Sequence, residues 1–270
     1  MFRKRLASGI ILLAAAIVLL YLGGTPLLLA CCVLSLIGQN ELYRAIGIDH
    51  KGLSVIGYLI TAVYYLLVMF EGMAYMTAVI VSSLLALMTA YVVTFPEYKT
   101  EEVTGAFFGV CYVSVLMSYL YLTRAYPDGV YFVWLIVIAA WGSDTLAYCT
   151  GMLVGKHKMV PKLSPKKTWE GALGGVLGAG ALGFLYGFLF RGKMLDTQLP
   201  QVVCACACIA GALISMIGDL AASAIKRNHD IKDYGDLIPG HGGILDRFDS
   251  MLFAAPAIYY AIILTQRFIR

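Results

Sequence analysis

Apolar positions fill this chain in nine long blocks, near residues 6–24, 26–46, 53–70, 73–96, 104–123, 129–151, 171–190, 201–222 and 248–267, with short polar connectors between them. Each block is close to the length a helix needs to cross a bilayer core, about 20 residues. A helix satisfies its own backbone hydrogen bonds, which is why lipid accepts it. The pattern predicts an all-α fold, a polytopic transmembrane helix bundle of about nine spans. Gln39, Asn40 and Glu41 interrupt the second block, so an early end or a re-entrant segment is expected there. The first block follows Met1-Phe2-Arg3-Lys4-Arg5, as in a signal peptide. Its apolar run exceeds the usual ~7–15 residues and no small-residue cleavage site follows cleanly, so it reads as a span.

Composition sharpens this picture. Of 270 residues, 60% are hydrophobic and 13% charged, with a mean hydropathy of +0.81. A soluble domain carries about 25% charged residues. With nine spans and a cytoplasmic N-terminus, fifteen of the 20 lysines and arginines fall on the cytoplasmic side. The five left on the other side are Arg124, Arg191, Lys193, Arg267 and Arg270. The positive-inside rule therefore selects N-in, C-out. The seven cysteines all lie in apolar blocks. On a helix Cys206 points away from Cys204 and Cys208, so small apolar packing is expected, without disulfides. In the loop 96–102, Thr100 or Thr104 is expected to cap the following helix.

Candidate chemistry begins in the sixth block, at Trp141-Gly-Ser-Asp144-Thr-Leu-Ala-Tyr148. An acid at mid-bilayer depth costs about 3 kcal/mol, so such acids usually face a polar cavity. The next connector, 155–171, holds five lysines. Ser164-Pro165 reads as an N-cap followed by proline at the first helical position. That would place Lys166 and Lys167 in the first turn, where an anion is already favoured. Attraction to acidic headgroups explains the number of lysines, but not the compact SPKKTWEG arrangement. The seventh block carries glycines four apart (171/175, 174/178, 183/187), a pattern for close helix packing. In the eighth, Ser215, Asp219, Ser223 and Lys226 share one helical face and form a polar stripe.

That stripe runs into the most polar stretch of the chain, Ser223 to Asp249, with four basic side chains, five aspartates, two histidines and four glycines. Pro239-Gly240-His241-Gly242-Gly243 is a turn whose amides could cradle an anion, although such turns are commonly only turns. Asp246 and Asp249 open the last span, three apart on one face. They complement a helix dipole. They also suit Mg2+, which takes one or two carboxylates plus substrate phosphates. Lys226, Arg227, Lys232 and Arg247 stand alongside.

The run S-x-I-K-R-x4-K-D-x-G-x2-I-P-x-H-G-G-I-x-D-R-F-D over 223–249 resembles the signature of the phosphatidate cytidylyltransferases, the CDP-diacylglycerol synthases. The runs at 141–148 and 162–171 resemble the same family, so the likeness covers Trp141 to Ser250. It implies a membrane enzyme that joins CTP to phosphatidic acid, with Mg2+ as cofactor, a second cation left open, and a homodimeric state. On that basis Asp219, Asp246 and Asp249 are the expected metal ligands. Lys167, Lys226, Arg247 and His241 are expected to act on phosphate together with those aspartates. Ser223, Arg227, Lys232, Asp233, Lys166, Gly242, Gly243 and Asp144 are expected to bind substrate or orient neighbours. Membrane lipid is an expected partner and nucleic acid is not. Residues 1–140 would form a scaffold and 141–270 a catalytic region of one membrane unit. A CTP-dependent polyprenol or phytol kinase and an ion-coupled transporter are the rival readings.

Overall fold

The computed structural model describes residues 2–71, 74–237 and 242–269, with side chains from Leu13 onward, Glu71 excepted. The helices are α1 (Phe2–Leu22), α2 (Gly24–Ala45), α3 (Gly52–Glu71) and α4 (Met76–Val93). They continue with α5 (Thr100–Ala125), α6 (Gly129–Val154), α7 (Trp169–Phe190), α8 (Pro200–Asn228) and α9 (Leu245–Ile269). Between α6 and α7 lie two short strands, β1 (Lys158–Val160) and β2 (Ser164–Thr168), paired antiparallel. Among the described residues, eight helices are long and apolar enough to cross a membrane, and α1 contributes the shorter apolar run Leu13–Leu22. The protein is thus a multi-pass helical membrane protein, as its apolar blocks predict.

The chain divides into two compact units, one of Met1–Ser118 with His229–Arg247, the other of Tyr119–Asn228 with Phe248–Arg270. The first is built around Tyr43, Ile48, Leu53, Leu87, Val103 and Ala106, all buried. Polar side chains tie its helices together. Tyr43 donates to the Ala106 carbonyl (2.6 Å) and accepts from Gln39 Nε2 (2.7 Å). Thr61 donates to Gln39 Oε1 and lies 2.8 Å from Ser114 Oγ, while Tyr64 pairs with Ser118. Lipid offers such groups no competing water, so they seek one another.

These partners explain why α2 runs unbroken where an interruption was expected. Gln39 is fully buried among hydroxyls, Asn40 donates to Tyr58 Oη (2.8 Å), and the Glu41 carboxylate accepts two backbone N–H groups. With a partner for each group, most of the desolvation cost of the polar run is offset and the helix continues. The cap of α5 also differs from expectation. Thr104 donates to the Thr100 carbonyl, and it is Glu102 that accepts the Lys99 N–H (2.9 Å).

In the second unit α7 is a glycine rod between two neighbours. Side-chain atoms added at Gly171 or Gly175 would meet the α6 backbone, and at Gly183 or Gly187 the α8 backbone. Cys204 and Cys208 are buried near Gly183, Cys206 is exposed, and all seven cysteines are free thiols. A Cβ at Gly175 would lie 2.8 Å from the Ser143 carbonyl oxygen and 2.9 Å from Ala147 Cβ. Alanine's better helix propensity is worth about 1 kcal/mol, whereas overpacking against rigid neighbours costs about 1–3 kcal/mol. Because one obstacle is backbone, strain wins, and Gly175→Ala is expected to lower the melting temperature in detergent. An unchanged or raised value would mean that α6 and α7 separate at little cost.

Candidate active site

The hairpin corrects the expected start of α7. Ser164 is not an N-cap, and Lys166 and Lys167 are not in a first helical turn, because Ser164–Thr168 pairs with Lys158–Val160 as a strand. Proline is tolerated in such an edge ribbon. The cap is Thr168, whose Oγ1 accepts the Gly171 N–H at 3.1 Å. Glu170 reaches back to accept the N–H groups of Lys156 and His157, both at 3.2 Å, and its Oε1 lies 2.5 Å from His157 Nδ1. The lysines are therefore carried by a short ribbon clamped at its base.

The ribbon, α6, α7 and α8 enclose a cavity of about 460 Å³. It is lined by Asp144, Ala147, Tyr148, Gly151, Met152, Lys158, Met159, Lys166, Lys167, Thr168, Gly171, Ala172 and Met216. The volume lies within the range of small-molecule sites, about 300–1,000 Å³. Lys167 Nζ is ion-paired with the Asp219 carboxylate, their side chains being 24% and 35% exposed. Asp144 stands within electrostatic reach of both. A π-helical turn, Ile138–Gly142, ends two residues before Asp144 in α6. Such turns recur at functional sites, since one extra residue rotates the next turns about the helix axis.

The rest of the expected set is spread over both units. On α8, Ser215 is buried and donates to its own helix's Ala212 carbonyl (2.9 Å), so the polar stripe begins at Asp219. Ser223 and Lys226 are half-buried, and Arg227 is exposed. Asp249 accepts the Ser250 N–H at 2.6 Å, and its carbonyl lies where a Cβ on Gly218 would touch it, at 2.7 Å. These residues belong to the second unit.

In the first unit, Lys232, Asp233 and Arg247 are exposed. Asp246 Oδ2 accepts the N–H groups of Tyr234 (2.8 Å) and Gly243 (3.0 Å), so a carboxylate of the chain itself engages the Gly243 amide. Gly242 has a φ of 85°, which a side chain would strain. His241 lies outside the described residues.

One residue escaped the sequence reading. Glu41, on α2, is 4% exposed. Its two oxygens accept the N–H groups of Ile244 (2.9 Å) and Leu245 (2.8 Å). The signal was an acid inside an apolar block, but the groups it serves lie some 203 residues on.

Among the described residues, no group of three or more histidine, cysteine, aspartate or glutamate side chains is placed to hold a metal ion. Mg2+ does not require one, because it keeps water and substrate oxygens and commonly takes one or two carboxylates. Asp144, which lines the cavity, and Asp219, which is ion-paired with Lys167 of the cavity wall and within electrostatic reach of Asp144, fit that donor set.

Apolar spanning helices around a cavity of lysines and carboxylates define an integral membrane protein equipped for a phosphate-bearing ligand. Comparison with known proteins is specific. The chain belongs to the cytidylyltransferase family, whose model matches residues 3–265. A Staphylococcus haemolyticus protein named phosphatidate cytidylyltransferase is 32% identical, covering 97% of this chain and 99% of its own. Proteins of the same name from Bacillus subtilis (29% identical, covering 97% and 98%) and Staphylococcus aureus strain COL (31%, covering 97% and 99%) are similarly related.

Proposed function

We propose that this protein is an integral membrane nucleotidyltransferase that condenses CTP with phosphatidic acid to give CDP-diacylglycerol and pyrophosphate. The observation that carries the reading is the cavity in which Lys158, Lys166 and Lys167 stand with Asp144 beside the Lys167–Asp219 pair, in a chain that matches its family from end to end. Three cations at a helix-lined pocket suit a polyphosphate and a lipid phosphate together.

In the reaction an oxygen of the phosphatidate phosphate attacks the α-phosphorus of CTP. A new P–O–P bridge forms, the bond from the α-phosphorus to the bridging oxygen breaks, and pyrophosphate leaves with that electron pair. Such chemistry depends on alignment and charge neutralisation rather than covalent catalysis. The ion pair prepares both. Lys167 exchanges its carboxylate partner for phosphate oxygens, which frees the Asp219 carboxylate, and that carboxylate would hold a divalent cation. Lys226, Arg227, Lys232 and Arg247 neutralise further phosphate charge, and His241 donates to a phosphate oxygen. Ser223, Asp233 and Asp144 orient these groups. Asp219 with Asp144 would hold Mg2+ beside the substrate phosphates and so offset charge on the triphosphate, and we propose Asp249 as a further ligand. We assign Asp246 the same chemical role.

The placement of Lys and Arg supports a cytoplasmic N-terminus and a site facing the cytoplasm of the cell (inner) membrane. The lipid would then enter sideways from the inner leaflet. The family resemblance supports a homodimer.

The test is mass spectrometry of the products made by purified protein from CTP, Mg2+ and phosphatidic acid in detergent. CDP-diacylglycerol and pyrophosphate are expected. CDP with a phosphorylated lipid would identify a kinase instead. Absence of turnover in detergent, with solute uptake by sealed vesicles, would favour transport.

A further inference from the structure

The structure assigns Glu41 as a positioning residue for turnover, acting through Asp246. The assignment rests on the nucleotidyltransferase reading above. A helix begins with N–H groups that have no partner in the helix itself. At the start of α9 two such groups in succession, Ile244 and Leu245, donate to the two oxygens of Glu41, whose side chain comes from α2. The very next residue is Asp246, and its Oδ2 gathers Tyr234 N–H and Gly243 N–H. Two carboxylates thus divide the work around one bend. Glu41 pins the helix start, and Asp246, seated on it, pins the preceding loop.

The loop is shaped to admit Glu41. A Cβ on Gly235 would lie 2.7 Å from Glu41 Oε1, and one on Gly243 would lie 2.5 Å from both oxygens. Glycines at these two places leave room for a buried carboxylate, and Gly242, just before Gly243, supplies left-handed backbone. An ordinary cap would need only one local side chain such as serine or aspartate. Here a buried acid on a distant helix supplies both acceptors, so the bearing of Asp246 is set by α2 as well as by its own loop. A misplacement of about 1 Å at a reacting group can cost 10²-fold in rate.

Glu41→Gln keeps the shape but turns an amide NH2 toward one of the two donors. The experiment measures kcat and KM for CTP, and melting temperature, for the full-length protein in detergent. Glu41→Gln is expected to lower kcat by about 10- to 100-fold with a smaller change in KM. Gln39→Leu, a buried polar loss two residues away on the same helix, is expected to lower the melting temperature at unchanged kcat. On an Asp246→Asn background, Glu41→Gln is expected to cause no further fall. If Glu41→Gln does not purify folded, Gly235→Ala takes its place, since its Cβ presses on the same carboxylate. Wild-type kcat in the variant, or losses that multiply with Asp246→Asn, would overturn the assignment and leave the nucleotidyltransferase reading standing. A wild-type protein that makes no CDP-diacylglycerol would sink that reading and the assignment with it.

Discussion

Lys167→Ala is expected to cut turnover by about 10²- to 10³-fold while shifting the melting temperature only slightly. The contrast arises from what the ammonium touches. Its partner, Asp219, is 35% exposed, and Lys167 itself is 24% exposed. The ammonium nitrogen itself is buried, but the carboxylate left behind reaches solvent, so losing the pair is expected to cost about 0–1 kcal/mol of stability. A cation aimed at developing negative charge in a preorganised site is worth more, about 2.7–4 kcal/mol of barrier. Removing it also takes away a positive charge that Asp144 and Asp219 share. Pyrophosphate release and thermal melting of one detergent preparation separate the two effects. A large fall in melting temperature with near-normal turnover would make Lys167 a structural residue. Lys167→Arg keeps the charge and is expected to retain part of the activity, since guanidinium geometry differs from a point-like ammonium.

Asp246→Asn is expected to lower product formation by about 10³-fold, the largest effect of any substitution here. The fold should survive it. The two N–H groups that Asp246 Oδ2 accepts, from Tyr234 and Gly243, can both donate to the amide oxygen of asparagine. The cost of exchanging a charged for a neutral acceptor is about 1 kcal/mol. The missing charge is what a cation or a cationic phosphate clamp would notice. CDP-diacylglycerol yield is measured with Mg2+ titrated, beside a melting curve. Turnover near that of the unsubstituted protein would take Asp246 out of the chemistry and reduce it to a loop anchor.

Much was legible before any coordinates. Long apolar blocks dictate helices because lipid leaves backbone groups no other way to be satisfied. The glycine spacing of α7 announced close packing, and the backbones of α6 and α8 do approach it on two faces. Asp144 stood out as an acid in an apolar block, and it lines the cavity together with three lysines. The polar run 223–249 stood out by composition, and its resemblance to a known signature named the family to which the chain belongs.

What the chain could not disclose were pairings between distant residues. Ser164-Pro165 carries a genuine helix-start signal, but pairing with Lys158–Val160 claims those residues for a strand, and Thr168 takes the cap. Local preference there is worth a fraction of what a closed ribbon provides. Glu41 is the deeper case. Read along α2 it is an isolated acid, and only folding brings it to Ile244 and Leu245. The sequence by itself determined that this is a membrane-embedded helical protein with one strongly charged stretch, because hydropathy and charge act residue by residue. Only the tertiary structure decided that Lys167 meets Asp219 and that Glu41 seats the helix of Asp246. A buried charge is settled by whichever partner the fold delivers, however far away in the chain.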